Sequence, residues 1–356
     1  MMDRKELLAL AKDLFSAAGI SGHEQPARDV VRPTWEPLVD EIEVSRLGSL
    51  HGLRHGRGPA PRPRVMLAAH MDAVGLMVKQ VVGSFLRVSD IGGVDARLLP
   101  GQPVVVHGRR DLAGVVAHPP LQLLPPERPA KGAPRTHEMW VDMGLGAAEV
   151  GRWVRVGDVI SFAQPPFELG ETRISGRGLD DRVGILAITV CLHELQHVAH
   201  RWEVAAVATV NEEMTYGGAY TSAFSLRPEL AVAVDATHAT GLPGLPEFKA
   251  FPMGGGPTIG VGSDIHPGLL RTFEAAAKAA EIPYLLEVMP GHSGTDARAM
   301  QVTQDGVPTM VVSIPVRYMH SPVEVVDLGD IERTGRLMAA VIAALDDDYM
   351  QRLVWE

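Results

Sequence analysis

A single cysteine, Cys191, stands among 356 residues. No disulfide can close within such a chain, and a reducing cytoplasm is the expected setting. Basic residues are also short: Lys+Arg 33 against Asp+Glu 43 leaves a net charge of −10. Nucleic acid, which needs a basic face to meet its phosphates, is excluded as the expected partner. Long hydrophobic runs are missing too. The longest, Val183 to Leu192, is about half of what a membrane span requires. The opening stretch MMDRKELLALAKDLF has neither an apolar core of signal type nor a small-residue cleavage site, so no export is expected. No internal repeat or long low-complexity tract is visible.

What the chain does have is length for two domains, or for one with a sizeable insertion. Short apolar runs at Val65 to Ala69, Val204 to Val210, Leu230 to Val234 and Pro308 to Ile314 read as strands buried on both faces. Helical patterns lie between them, at Asp3 to Ala18, Asp181 to His200, Leu269 to Ala280 and Leu328 to Leu345. This alternation predicts an α/β fold with a largely parallel sheet sandwiched by helices. From about Gly75 to Phe162 the pattern changes to Gly, Pro and Val at short spacing without a convincing helix, which predicts a small β-barrel-like domain inserted into the α/β body. The body is then 1–74 and 163–356, and the insert 75–162. Its proline-rich segment at about 119–138 is expected to be a mobile loop.

Acidic and histidine residues follow each buried run. His70 and Asp72 come after the first, Asn211, Glu212 and Glu213 after the second, Asp235 after the third and His320 a short loop after the fourth. Open α/β sheets place their ligands and chemistry at these strand ends. Asp180 and Asp181 precede the long apolar helix, and one of them can serve as its N-cap. Imidazoles and carboxylates are ligands of zinc and related ions. The set is too large for one zinc, but a pair of ions about 3.5–4 Å apart would use it. At i, i+2 spacing, Asp72 can accept the second imidazole N–H of His70. Adjacent glutamates on a strand face opposite ways, which predicts one ligand and one free general base.

The segments SGHEQPARDVV, AHMDAVGLMV, GRGLDDRVG, VATVNEEMTYGGA, VAVDATHA, GHSGTDARAM and IPVRYMHSPVEVVDLGDIE, in this order, resemble the glutamyl and deblocking aminopeptidases, cytoplasmic dinuclear metallo-aminopeptidases that assemble as tetrahedral dodecamers; some have been labelled endoglucanases. The resemblance implies a zinc-exopeptidase fold, with His70 and Asp235 on one metal, Glu213 and His320 on the other, Asp180 bridging and Glu212 as general base. It also implies two divalent ions per subunit (zinc or cobalt, with manganese possible), peptide substrates with a free N-terminus, and a homo-dodecamer joined through the insert. The chain departs from the family at Ala73, where Glu is common, and at Thr215 to Gly217, where Arg is frequent.

Other features carry blander readings. His193, Glu194 and His197 form an H-E-x-x-H pattern, but the two histidines lie three to four turns beyond the helix end that faces the expected site, and with Gln196 they read as a polar strip. Cys191 reads as core. Gly254 to Gly256 read as a turn and a wall of the substrate pocket, and His292 to Asp296 as a turn or a source of polar contacts to it. His51, His55, His107, His118 and His137 read as surface residues. The alternatives to a peptidase are a metal-independent glycosidase and a non-catalytic peptide-binding homologue. With few cations near the pocket segments (Lys249, Arg298 and Arg317), neutral or aliphatic N-terminal residues are expected over acidic ones.

Overall fold

The computed structural model describes residues 2–123, 134–241, 244 and 250–355. Part of the expected loop at 119–138, namely residues 124–133, therefore lies outside the described residues, as does Lys249.

One sheet organises the body. From edge to edge it runs Glu41–Val44, Leu50–Arg54, Glu203–Thr209, Arg64–His70, Leu230–His238, Thr309–Arg317, Glu324–Asp327, Arg173–Gly176 and Phe167–Leu169, while Thr258–Gly262 and Leu285–Met289 branch from the Thr309–Arg317 strand. The four central strands, those predicted from the buried runs, are mutually parallel, and the two branch strands are parallel to each other. The flanks pair antiparallel. Parallel neighbours need helical crossovers that cover both faces, which is why the centre consists of nearly unbroken Val and Ala. The flanking strands went unrecognised because they are short and mixed in polarity.

The helix Leu179–Leu195 is buried along almost its whole length. It packs on the central strands and beneath the helices Arg4–Ser16 and Leu328–Ala344. Its fully buried Arg182 donates to the main-chain carbonyls of Leu14, Ala17 and Ala18 at the end of the first helix and to that of Met71 beyond the Arg64–His70 strand. Those carbonyls have no further turn of helix to pair with, and the guanidinium satisfies them.

Strands within Gly75–Phe162 close into a six-stranded barrel. Leu76, Val78, Leu86, Val88, Val106, Val116 and Val141 fill it. The turn at Gly92 and Gly93, after the strand Phe85–Ile91, reaches back to the body.

Candidate metal centre

The strand ends converge as the sequence suggested. His70 ends Arg64–His70, Asp235 lies within Leu230–His238, and Asp180 opens the buried helix. His320 follows Thr309–Arg317. Glu212 and Glu213 are not on a strand. The chain leaves Thr209, turns through Asn211 at φ 58°, and enters a helical turn, Glu212–Thr215. Successive side chains there diverge by about 100°, so the two glutamates still separate.

Asp180 occupies the middle. One of its oxygens is 3.3 Å from His70 Nε2 and the other 3.2 Å from His320 Nε2. Asp235 and Glu212 approach His70 Nε2 at 3.9 and 3.7 Å, and Glu213 lies 3.3 Å from His320 Nε2. Asp181 has its two oxygens on the amides of His70 and Gly184, the second of which caps the helix, and it stays within reach of His70 and Asp235. His70, Asp181 and Asp235 form one close donor group, and His70, Asp180 and Glu213 another.

The second nitrogen of each imidazole is also held. His70 Nδ1 donates to the Asp72 carbonyl at 2.9 Å, and not to its carboxylate, which is 3.6 Å away. That carboxylate is engaged by the amides of Glu212 and Glu213 and by the Ser21 hydroxyl. Asp72 thus acts on the glutamates more directly than on the imidazole. His320 Nδ1 is 3.1 Å from the carbonyl of Gly93, which comes from the barrel. A Cβ at Gly93 would sit 2.7 Å from that nitrogen, so glycine is needed for the close approach.

Two buried carboxylates that sequence reasoning did not find brace the centre. Glu324 accepts the amides of Leu179 and Asp180 on one oxygen and that of His320 on the other, tying the central acid to the distal histidine. Glu24 accepts the amides of Gly22 and Asn211. Both work through main-chain amides, which leave no spacing signature; their presence inside the segments SGHEQPARDVV and IPVRYMHSPVEVVD was the only pointer.

The electrostatics show a centre short of positive charge. Burial lifts Glu212 to about 10, with Asp235, Asp296 and Asp180 adding to the rise, and burial likewise raises Asp235 and Glu213. Burial would lower His320, but Asp180 and Glu213 outweigh it and lift the imidazole to about 11. His70 is raised for the same kind of reason, by Glu212, Asp180 and Asp72. Asp180, against its own burial, is held below the usual carboxylate range by the two histidines. Protons stand here where added cations would compete for the same lone pairs. Imidazole nitrogens and carboxylate oxygens, buried together, are a donor set that fits divalent metal ions.

These groups line a cavity of about 430 Å³ with Tyr216, Glu287, Ser293, Gly294 and Thr295. The segment from His292 therefore contributes polar wall. Gly254 and Gly256 do not line it; their amides bind Asp330, and the triglycine is a turn. No lysine or arginine lines the cavity among the described residues, and the Arg317 guanidinium donates to the Thr240 carbonyl. His193, Glu194 and His197 form no donor group, His193 and Glu194 being half-buried and His197 exposed at the end of their helix. Burial pushes the Cys191 thiol far up, in keeping with a core residue. His51 corrects the expectation of a surface residue: it is buried and bonded to Ser222. His107 is bonded to Asp111 and Ser161. No described helix is long and apolar enough to cross a membrane.

The sequence profile of the M42 glutamyl aminopeptidase family matches residues 48–337. The chain is 35% identical to a lysyl aminopeptidase of Pyrococcus furiosus over 94% of its own length and 96% of the relative's. It superposes at a TM-score of 0.91 on an aminopeptidase from the archaeon Desulfurococcus kamchatkensis, with 35% identity over 98% of both chains. Pyrococcus horikoshii TET1 peptidase, which can assemble into a tetrahedron or a large octahedral shell, matches at 0.82 with 28% identity, over 95% of this chain and all of that one.

Proposed function

The chain belongs to the M42 glutamyl aminopeptidase family and is an aminopeptidase, and on that premise we propose that it cleaves N-terminal residues from peptides using two divalent cations and Glu212 as general base. One observation carries the reading: Asp180 divides its two oxygens between the imidazoles of His70 and His320. A carboxylate so placed can bridge two ions, with His70 and Asp235 completing one side and Glu213 and His320 the other. Zinc and cobalt suit these donors, and manganese is compatible with them. When bound, such a pair polarises the scissile carbonyl and acidifies a water.

The rest is the work of the chain. Glu212, at the cavity wall beside His70, takes the proton of the attacking water on its carboxylate and passes it to the leaving amine. Asp72 keeps Glu212 and Glu213 aimed inward by holding both of their amides. The acidic wall attracts the free α-ammonium group of a peptide, which selects chain ends. A metal-free glycosidase would leave His70 and His320 without a role, and a non-catalytic peptide binder would have no use for Glu212.

Residues 1–74 and 163–356 form the catalytic domain in this reading, and residues 75–162 a domain for dimerisation and assembly. The protein is a cytoplasmic homo-oligomer, and the assembly is a dodecamer whose active sites face an inner chamber. Chelation should abolish hydrolysis of leucyl p-nitroanilide, and zinc or cobalt should restore it. Full turnover by protein shown to be metal-free by elemental analysis would end the dinuclear reading. A light-scattering mass equal to one subunit, in metal-replete buffer, would end the dodecamer.

A further inference from the structure

Five carboxylates line the catalytic cavity: Asp180, Glu212, Glu213, Asp235 and Glu287. The first four lie near an imidazole or belong to a donor group. Glu287 does neither. It comes from the strand Leu285–Met289, on the branch of the sheet, and each of its oxygens accepts one hydroxyl hydrogen, from Thr237 at 2.6 Å and from Thr258 at 2.6 Å. Two neutral hydroxyl donors fix the position of a carboxylate and leave its charge uncancelled, and each oxygen keeps a lone pair free. Thr237 is two residues beyond Asp235 on the same strand. The two therefore face the same way, separated along the strand by about 7 Å, and Glu287 lies one hydrogen bond further on.

We infer that Glu287 forms the far wall of the side-chain subsite and selects a cationic N-terminal residue, lysine or arginine. The inference rests on the aminopeptidase reading, because it takes the scissile end of the substrate to be held at the histidine end of the cavity. From there a lysyl or arginyl stem is long enough to carry its charge to Glu287, whereas a leucyl side chain stops short. A glutamyl side chain would bring a second carboxylate against a fixed one, and no lysine or arginine lines the cavity among the described residues to offset it. Neutral residues are then accepted and acidic ones rejected, but cationic ones are preferred.

The test compares lysyl, arginyl, leucyl and glutamyl p-nitroanilides on metal-replete full-length protein. The expected order of kcat/KM is lysyl and arginyl first, leucyl about tenfold lower, and glutamyl last. Glu287→Gln keeps the size of the side chain and removes its charge, so the lysyl-to-leucyl ratio should fall about tenfold. High salt should compress the same ratio in the unmodified protein and leave it unchanged in the variant. A purely structural clamp between the two threonines would lower thermal stability without moving that ratio. Leucyl preferred over lysyl, or a ratio indifferent to Glu287→Gln, overturns the inference while the aminopeptidase stands. Absence of hydrolysis of all four substrates overturns both.

Discussion

The body and the inserted barrel treat buried charge in opposite ways. Among the described residues the body buries ten carboxylates: Glu24, Asp72, Asp180, Asp181, Glu212, Asp235, Asp296, Glu324, Asp327 and Asp330. The barrel buries one, Asp158, which the backbone and guanidinium of Arg155 satisfy. Taking a carboxylate out of water is costly unless a partner restores what is lost. A region that contributes no side chain to the donor groups has little reason to do so repeatedly, and the barrel core is accordingly mostly Val, Leu and Ile. In the body the cost is concentrated at the parallel strand ends, where Asp180, Glu212, Glu213 and Asp235 meet two histidines. Asp296 close by, lifted to about 6 by its burial, has one oxygen on the Thr209 hydroxyl and the other buried without a partner.

The sharpest way to break this contrast is at the proposed general base. Glu212→Gln should lower kcat by about 10² to 10⁴ while metal analysis still finds both ions, because Glu213 and not Glu212 is the proposed ligand. His320→Ala should lose occupancy at one position. Equal metal content and equal residual rates in the two variants would show that the roles are wrongly divided.

A smaller effect is expected where the two regions touch. Gly93→Ala places a methyl against the His320 ring, and kcat/KM should fall about tenfold with little change in melting temperature. Activity unaltered in this variant would mean that the turn moves aside without disturbing the ring.

Proton linkage separates the regions without mutation. In metal-free protein Glu212 is raised from 4.5 to about 10 and His320 from 6.5 to about 11. The folded state then binds more protons than the unfolded state between roughly pH 6.5 and 10, so stability must fall as pH rises through that window. The melting temperature of chelated protein, followed across it, should decline, and added metal should raise it most at the alkaline end. A flat profile would remove the cluster from the balance.

Least of all should catalysis respond to the barrel core. Leu86 is fully buried there; Leu86→Ala should cost about 2–5 kcal/mol of stability and alter kcat per folded subunit less than twofold. A large catalytic loss at full folding would blur the division between the regions.

The same division explains what could be read from sequence. The central strands announced themselves as unbroken apolar runs, and an acid or imidazole directly after such a run stands where the sheet opens. His70, Glu213, Asp235 and His320 were legible for that reason, Asp180 from its place ahead of the buried helix and from the family resemblance, and the structure brings the five together. Asp180 and Asp181 could not be told apart, because adjacent aspartates differ only in the direction the backbone gives them. Glu324 and Glu24 act on amides, and an amide carries no side-chain identity to search for. His51 looked like a surface residue because nothing near it in sequence marks a partner, while the Ser222 hydroxyl it bonds to lies on a distant helix. Glu287 reaches the cavity only through a branch strand whose pairing no local pattern foretold.

The hydrogen bond from His320 to the Gly93 carbonyl bears on any attempt to pare the protein down. A side-chain acceptor can be deleted or transplanted by point mutation, but a main-chain carbonyl can be removed only by rerouting the loop that carries it. Excising residues 75–162 to obtain a minimal enzyme would spare all five donor residues and still leave the Nδ1 of His320 without its acceptor. The shortest functional version of this chain therefore has to keep the turn at Gly92 and Gly93 of its insert, even if the rest of the insert is replaced.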